Sequence, residues 1–329
     1  MLLLAAVLAS AGRAPGATPG HANVSVFFPA WSRGGDLIAW TQQTADGAQL
    51  WVARPDGSRA RTVFPPVRGL GQIAWIDHDR LLVWVGFRLV AVTLAGHGTV
   101  VARVDGERFS LDASADRFAT VPPGCPICGG PVEVQDLVTG KRVEVGPADG
   151  RASEPSLSPD GRSVAFRRSR CDRAGDACSS LGGIWVGSTR TPAGRLRELT
   201  RRGTCPVWGP AGRGIAYLLD GTLRVADVAS GRTTLLDRDA SCSQTTAPAW
   251  SPDGMRLAVV DRAQRLALVD VRTRRVRVVR NPGIGVVIGL AWAPNGRRLL
   301  VAARPVPLAC SSLWRVDAAT GRARLVRAC

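Results

Sequence analysis

The chain has 329 residues and a formal net charge of +17, from 43 lysines and arginines against 26 acids. Hydrophobic residues make up 45% of it, which is enough for a sizeable core. Beyond the extreme N-terminus no apolar run is long enough to span a bilayer, so we expect no transmembrane span in the mature chain. Abundant valine, glycine, proline and tryptophan favour strands and tight turns, and an all-β protein.

Residues 1–22 resemble a secretory signal peptide or a disordered leader. Leu2 to Leu8 form the apolar segment, Ala9-Ser10-Ala11 offers small residues for cleavage, and a second cut is available after Ala22. The basic segment that usually precedes the apolar one is missing. We expect an exported protein, in the periplasm, the cell envelope or outside the cell, with residues 23–329 forming one domain.

One short frame recurs along the rest of the chain. It reads Pro-Ala-Trp-Ser-Pro-Asp-Gly-Met-Arg-Leu-Ala over residues 248–258 and Pro-Ser-Leu-Ser-Pro-Asp-Gly-Arg-Ser-Val-Ala over residues 155–165. Aligning all copies gives one anchor residue per copy, at spacings of 36 to 51 residues: Trp31, Trp75, Leu111, Leu157, Trp208, Trp250 and Trp292. Such a period indicates a repeat architecture.

The residues after each anchor provide a check on the register of the copies. Apolar pairs stand seven and eight positions later: Ile38-Ala39, Leu82-Val83, Phe118-Ala119, Val164-Ala165, Ile215-Ala216, Leu257-Ala258 and Leu299-Leu300. In the turn between, proline pre-sets its φ, aspartate bonds the local backbone and glycine accepts a positive φ. Each copy therefore predicts a strand, a tight turn and a second strand.

Later segments of each copy predict two more strands. The third often ends in an aspartate that opens a polar turn, as Asp136, Asp227, Asp270 and Asp317 do. Four antiparallel strands per period make one propeller blade, so the sequence predicts an all-β, seven-bladed β-propeller of four-stranded antiparallel blades. Six blades is the alternative, because the turns at 77–79 and 114–116 lack the glycine.

The Trp-Ser-Pro-Asp-Gly frame followed by an apolar pair resembles the repeat of the TolB-type, WD-repeat-like propellers. The resemblance covers residues 24–329. It implies the propeller fold and says little about function, because that family serves many tasks. TolB itself has six blades and an α/β domain before them, whereas this chain shows seven copies of the repeat.

Eight cysteines fall into local pairs: Cys125 with Cys128, Cys171 with Cys178, Cys205 with Cys242, and Cys310 with Cys329. Nearest-neighbour pairing is one of many schemes that the sequence permits. Disulfides at this density belong in an oxidising compartment. For the Cys125-Pro126-Ile127-Cys128 segment we favour a structural disulfide over a redox dithiol or a zinc site, because it joins strands and lacks a second ligand pair.

Residues able to carry catalysis are scarce. The three histidines are His21 in the leader, His78 between two aspartates in a turn, and His97 between two glycines. We interpret the turn at His78 as solvated and not as a metal site, because adjacent turn residues rarely converge on one ion. No Gly-x-Ser-x-Gly elbow or phosphate-binding loop occurs. We therefore nominate no catalytic, cofactor-binding or metal residue, and expect no cofactor.

Two repeated residue types have a structural interpretation. The turn aspartates recur once per copy, so each serves its own turn and they do not form one carboxylate cluster. The anchor tryptophans occupy one repeat position, which indicates packing between blades.

The charge admits an anionic partner, such as an acidic wall polymer or lipid, or else a soluble basic surface with no ligand. From these features we expect a monomeric, non-enzymatic scaffold that binds an envelope or extracellular protein or peptide, with nucleic acid an improbable partner. The cysteine-containing inserts at 167–183 and 302–312 are its candidate contacts. Two alternatives stay open: a charge-driven binder of anionic polymer or lipid, and a hydrolase or lyase with its site in the central channel.

Overall fold

The computed structural model describes residues 25–103, 109–111, 116–121, 131–146, 152–171, 178–191, 196–243, 246–280, 284–305 and 310–328, without the side chains at 170–171 and 178–181. These residues form seven four-stranded antiparallel sheets, whose strands are numbered here in chain order. The prediction of a seven-bladed propeller is confirmed, and the six-bladed alternative is wrong. Within the described ranges no helix is long and apolar enough to cross a bilayer.

The strands of blades 1 to 3 follow one another without exchange between blades. Blade 1 contains β1 (Ser25–Trp31), β2 (Ile38–Thr44), β3 (Gly47–Ala53) and β4 (Arg61–Val67). Blade 2 contains β5 (Leu70–Trp75), β6 (Arg80–Val85), β7 (Arg88–Thr93) and β8 (Gly98–Arg103). Blade 3 contains β9 (Ser110–Leu111), β10 (Arg117–Thr120), β11 (Val132–Asp136) and β12 (Arg142–Val145).

Blades 4 to 7 repeat this order. Blade 4 contains β13 (Ala152–Leu157), β14 (Ser163–Cys171), β15 (Cys178–Ser188) and β16 (Arg197–Thr200). Blade 5 contains β17 (Thr204–Trp208), β18 (Gly214–Leu219), β19 (Thr222–Asp227) and β20 (Thr233–Asp237). Blade 6 contains β21 (Ala249–Trp250), β22 (Arg256–Val260), β23 (Leu266–Asp270) and β24 (Val276–Val278). Blade 7 contains β25 (Val286–Trp292), β26 (Arg298–Arg304), β27 (Ser312–Asp317) and β28 (Ala323–Arg327).

The core is divided among the interfaces between neighbouring blades. Seven clusters of buried apolar side chains each join one blade to the next, including a cluster that joins blade 7 to blade 1. The apolar pair on the second strand shows why: Ile38 packs toward blade 7, and Ala39 packs toward blade 2. A strand buried on both faces needs consecutive apolar residues, and this pairing supplies them.

The turn between first and second strands has the chemistry expected of Ser-Pro-Asp-Gly. In blade 6 the hydroxyl of Ser251 donates to Oδ1 of Asp253 at 2.5 Å, and Gly254 has a φ of 70°. That hydroxyl bond, together with a backbone amide bond and the charge of Arg256, holds the pKa of Asp253 below its ordinary value in spite of partial burial. Blade 4 repeats the bond from Ser158 to Asp160 at 2.6 Å. The turn is therefore set by local residues.

Blade 2 departs from the predicted register by one residue. In the other blades the anchor pairs with the seventh residue after it, as Trp31 pairs with Ile38, but Trp75 pairs with Leu81. Leu81 packs toward blade 1 and Leu82 toward blade 3, so the equivalent apolar pair is Leu81-Leu82 and not Leu82-Val83. The turn at 77–79 is shorter because it lacks the Pro-Asp-Gly sequence.

Of the two inserts expected as contact loops, the one at 167–183 is largely an extension of two strands. β14 runs as far as Cys171 and β15 begins at Cys178, so most of 167–183 lengthens the hairpin of blade 4. In blade 7, residues 302–304 belong to β26, and residues 306–309 lie outside the described ranges.

Candidate functional site: the central channel

The predicted His78 turn is on the surface and carries its own counter-charge. Asp77, His78 and Asp79 offer ligand atoms within 4.8 Å of one another. However, Oδ2 of Asp77 lies 2.6 Å from Nη2 of Arg80. Burial by itself would raise the pKa of Asp77, but hydrogen bonds from Arg80 and from Asp79 lower it to about 2. We interpret this group as a closed turn, because its best carboxylate is already paired with a cation.

The aspartates that end third strands do not converge. In blade 7, Oδ1 of Asp317 accepts the backbone amide of Thr320 at 2.7 Å and its hydroxyl at 2.8 Å. In blade 6 the amide and hydroxyl of Thr273 bond Asp270 in the same way. These bonds, the backbone amide first, hold the pKa of both carboxyls below its ordinary value. Each aspartate stabilises the turn of its own blade.

The anchors end the innermost strand of each blade, and the tryptophans pack between blades. Nε1 of Trp250 donates to the carbonyl of Val207 in blade 5 at 3.1 Å, and Nε1 of Trp292 donates to that of Ala249 in blade 6 at 2.8 Å. Among the described atoms the buried Nε1 of Trp31, Trp75 and Trp208 has no partner.

Of the eight cysteines, Cys205 and Cys242 form a disulfide with a Cα–Cα distance of 6.7 Å. Cys310 is also disulfide-bonded. Cys171 and Cys178 face each other in the register of β14 and β15, but their side chains lie outside the description. Cys125, Cys128 and Cys329 lie outside the described residues altogether, as does His21.

The innermost strands enclose a cavity of about 280 Å³ on the propeller axis. All seven blades contribute to its wall, mainly through residues one to three positions before the anchor. The wall consists of Phe28, Pro29, Gln72, Ile73, Phe109, Ser110, Glu154, Pro155, Ser156, Pro206, Val207, Ala247, Pro248, Ala249, Gly289 and Leu290. Glu154 is the one ionisable side chain of this described wall, and no histidine belongs to it.

Glu154 is held by two neighbours. Its Oε2 accepts a hydrogen bond of 2.5 Å from the backbone amide of Cys205 in blade 5, and its Oε1 lies 3.7 Å from Nη1 of Arg167 on β14. The Glu154 side chain keeps 23% of its surface exposed, and that of Arg167 keeps 18%. Glu154, a part-exposed carboxylate paired with the guanidinium of Arg167, thus lies in the wall of a small cavity lined by both polar and apolar groups.

Other polar groups of the wall join neighbouring blades. The side chain of Gln72 donates to the carbonyl of Phe109 at 2.9 Å and accepts its amide at 3.1 Å. The hydroxyls of Ser110 and Ser156 accept the backbone amides of the next anchors, Leu157 and Trp208, at 2.9 and 3.1 Å. Glu154 also contacts the next blade, but as the ionisable side chain of the described wall it is the residue there that can take up and release a proton.

The backbone in or next to the wall is strained in three blades. Phe28, Glu154 and Cys205, each three residues before its anchor, have φ values of 46°, 53° and 52°. Each occupies a bulge in the pairing of the first and second strands. Non-glycine residues in this region cost about 1 to 3 kcal/mol, and such strain clusters at ligand-binding and active sites.

Neither Glu154 nor Arg167 was predicted from the sequence as a site residue. A signal was present, because an X-Pro pair recurs three residues before four anchors: Phe28-Pro29, Glu154-Pro155, Cys205-Pro206 and Ala247-Pro248. That signal marks the wall position of each repeat, where one acid, Glu154, stands among neutral residues.

No protein-family model matches the chain, and no curated protein matches it. Solved structures do match. An oligogalacturonate lyase in complex with manganese is similar over 91% of both chains, at 15% identity and a TM-score of 0.71. A puromycin hydrolase matches 92% of this chain and 53% of its own, at 17% identity and a TM-score of 0.69. TolB from Acinetobacter baumannii covers 88% of this chain and 79% of its own, at 17% identity and a TM-score of 0.51.

At these identities the likeness shows the fold, a TolB-like propeller. It also corrects our functional expectation, because propellers that match over nine-tenths of this chain are those of a lyase and a hydrolase. Our expectation of a non-enzymatic scaffold is therefore wrong. Histidines are scarce and a serine elbow is missing, but the repeat places a carboxylate, Glu154, in the channel wall.

The manganese of the lyase structure has no matching ligand set in the described wall. Mn²⁺ in proteins is held by carboxylate, imidazole and carbonyl ligands. The described wall offers one carboxylate, Glu154, which is shared with Arg167 and the Cys205 amide, and the amide of Gln72 is bound to Phe109. The described residues of the wall therefore do not fit Mn²⁺.

Proposed function

We propose that this protein is an enzyme that cleaves an acidic oligosaccharide in the central channel, with Glu154 as its acid–base residue. The observation that carries the proposal is the position of Glu154, a part-exposed carboxylate beside a guanidinium at a cavity of about 280 Å³. A positioned carboxylate of this kind is a standard general base or acid.

The fraction of each solved enzyme chain that is matched favours the lyase reaction over hydrolysis. The match to oligogalacturonate lyase extends over 91% of that chain, whereas the match to puromycin hydrolase leaves nearly half of that chain without a counterpart. A lyase acting on a uronate needs a base to remove the proton next to the carboxylate and a cation to stabilise the charge that develops. Glu154 removes that proton, the C=C bond forms as the C–O bond to the leaving sugar breaks, and the leaving oxygen takes up a proton from Glu154 or from water. Arg167 supplies the cation.

Charge supports an anionic substrate. The chain carries a formal net charge of +17, and a field of one sign raises the local concentration of the opposite ion at a cleft. The compartment is consistent with such a substrate. We infer that the protein is exported, with removal of residues 1–22, because a disulfide between Cys205 and Cys242 belongs in an oxidising environment. Acidic wall and matrix polysaccharides are substrates of that environment.

The test incubates the purified oxidised protein with oligogalacturonate and other oligouronides. Elimination leaves an unsaturated uronide that absorbs ultraviolet light, whereas hydrolysis leaves a new reducing end without that absorbance, so the two readouts distinguish the reactions. We expect Glu154→Gln to lower the rate about a hundredfold to ten-thousandfold. The matched control is Glu144→Gln on the outermost strand of blade 3, which should retain the rate.

Two outcomes contradict the proposal. If neither readout appears with any oligouronide, the substrate class is wrong. If Glu154→Gln cleaves as fast as the parent protein, Glu154 is not the acid–base residue.

A further inference from the structure

A second cavity, of about 180 Å³, lies between blades 3 and 4, away from the channel. Its wall is formed by Arg117, Val134, Asp136, Lys141, Val143, Thr189 and Arg190. These residues stand where the third strands end and the second strand of blade 3 begins. The cavity therefore lies on the face of the propeller that carries the turns after the anchors. The residues of the channel wall, in contrast, come before the anchors in sequence.

At two other blade interfaces an arginine crosses the corresponding groove. Arg277 on the outer strand of blade 6 donates to the carbonyl of Ala318 in the turn of blade 7, and Arg197 of blade 4 donates to that of Val228 in blade 5. Arg277 is the seventh residue after the turn aspartate Asp270, and the seventh residue after Asp136 is Val143. The short apolar side chain of Val143 cannot reach across, so this groove stays open.

The open groove has a surplus of positive charge. Three cations, Arg117, Lys141 and Arg190, surround it against one carboxylate, Asp136. Asp136 is largely committed, because its Oδ1 accepts the backbone amides of Val138 and Thr139 at 3.0 and 2.8 Å. Its Oδ2 lies 3.8 Å from Nε of Arg117. Among the described lining residues, the three cations thus exceed the carboxylates by two.

One cation is fixed in place and two are available. Nη1 of Arg117 donates to the carbonyl of Gly161 in blade 4 at 3.1 Å, which holds the guanidinium at the blade interface. The exposed side chains of Lys141 and Arg190 have no hydrogen-bond or ionic partner among the described residues. A guest anion can therefore recruit both side chains without breaking an existing contact.

We propose that this groove binds a phosphoryl group, free or as a monoester. Such a group carries a charge of about −1.5 to −2 at neutral pH and offers three strong acceptor oxygens. Both properties match a site with two surplus positive charges and three cationic donors. Guanidinium and ammonium groups bind phosphate through short charge-assisted hydrogen bonds. The inference is independent of the channel and of the proposed lyase activity.

Calorimetric titration with inorganic phosphate, in chloride buffer of matched ionic strength, tests the site. We expect saturable binding of one phosphate per chain. The double variant Lys141→Gln/Arg190→Gln should bind at least about tenfold more weakly, because it loses two charge-assisted contacts. The control is Arg232→Gln, which removes the base at the same turn position of blade 5 and should bind as the parent does.

Further titrations identify the source of the phosphoryl group and the limits of the inference. A sugar phosphate that binds more tightly than inorganic phosphate assigns the site to a monoester, and the reverse order assigns it to the free ion. The proposal is overturned if phosphate does not saturate, if Arg232→Gln weakens binding as much as the double variant, or if acetate binds as well as phosphate. Glu154→Gln should leave the phosphate affinity unchanged, so the outcome is separate from that of the channel experiment.

Discussion

The hydroxyl of Ser311 donates a hydrogen bond of 2.8 Å to the carbonyl oxygen of Val26, which lies 285 positions earlier in the chain. Ser311 is fully buried, and the amide of Val26 donates back to its carbonyl at 3.3 Å. Ser25 and Ser311 also form an isolated parallel bridge. Because every blade is otherwise contiguous in sequence, these contacts and the apolar cluster beneath them close the ring.

Replacing Ser311 by alanine should weaken this closure. The variant leaves the buried carbonyl of Val26 without its hydroxyl donor, which costs about 1 to 3 kcal/mol. The free energy of unfolding, measured by guanidinium titration, should fall by that amount. Ser58→Ala removes an exposed turn hydroxyl, and its free energy of unfolding should fall by less than about 0.5 kcal/mol. Equal losses in both variants would mean that closure does not depend on Ser311.

The anchor tryptophans offer an internal comparison. Trp250→Phe removes the indole donor to the carbonyl of Val207, whereas Trp208→Phe removes a buried indole N–H that lacks a partner among the described atoms. We expect Trp250→Phe to destabilise the protein by about 1 kcal/mol more than Trp208→Phe, because only the former breaks a hydrogen bond. Chemical denaturation of both variants measures the difference. A larger loss in Trp208→Phe would contradict the assignment.

The disulfide between Cys205 and Cys242 closes a loop of 37 residues. Replacing both cysteines by serine should lower the free energy of unfolding by about 3 to 4 kcal/mol, because the unfolded chain regains loop entropy. The same variant tests the channel, since the amide of Cys205 donates to Glu154. We expect cleavage to slow while the fold, checked by circular dichroism below the new transition, persists. Unchanged stability would show that the bond does not constrain the unfolded chain.

Glu133 on β11 should make stability depend on pH. Burial raises its pKa, Arg142 partly opposes the rise, and the facing Glu144 adds to it. A raised carboxyl pKa means that the fold prefers the protonated form, so its penalty is present at neutral pH and disappears as pH falls through the folded pKa. Glu133→Gln should therefore be more stable than the parent at pH 7.

The difference in stability between Glu133→Gln and the parent should narrow as the pH approaches 4.5, the ordinary pKa of glutamate. Thermal melts across this range measure it. Asp46→Asn, at an exposed hairpin residue, serves as the control for replacing an acid by its amide. A gap that widens on acidification would mean that the sign assigned to Glu133 is wrong.

Much of this fold could be predicted from sequence because its determinants are local. A Ser-Pro-Asp-Gly turn is fixed by four adjacent residues, as the bond from Ser251 to Asp253 shows. A strand buried on both faces is indicated by a pair of consecutive apolar residues such as Ile38-Ala39. Because this local sequence pattern occurs seven times, the number of blades could be predicted from it. Where a copy lacked the turn residues, at 77–79, the predicted register failed by one position.

The channel and the groove depend on relationships that only the closed ring creates. Glu154 meets Cys205 across 51 positions, and Arg117 meets Gly161 across 44, because neighbouring blades bring equivalent repeat positions together. The sequence determined the blade and its number. The tertiary structure decided which side chains face the axis and which groove stays open, since both follow from how one blade packs on the next and not from any residue's own neighbours in the chain.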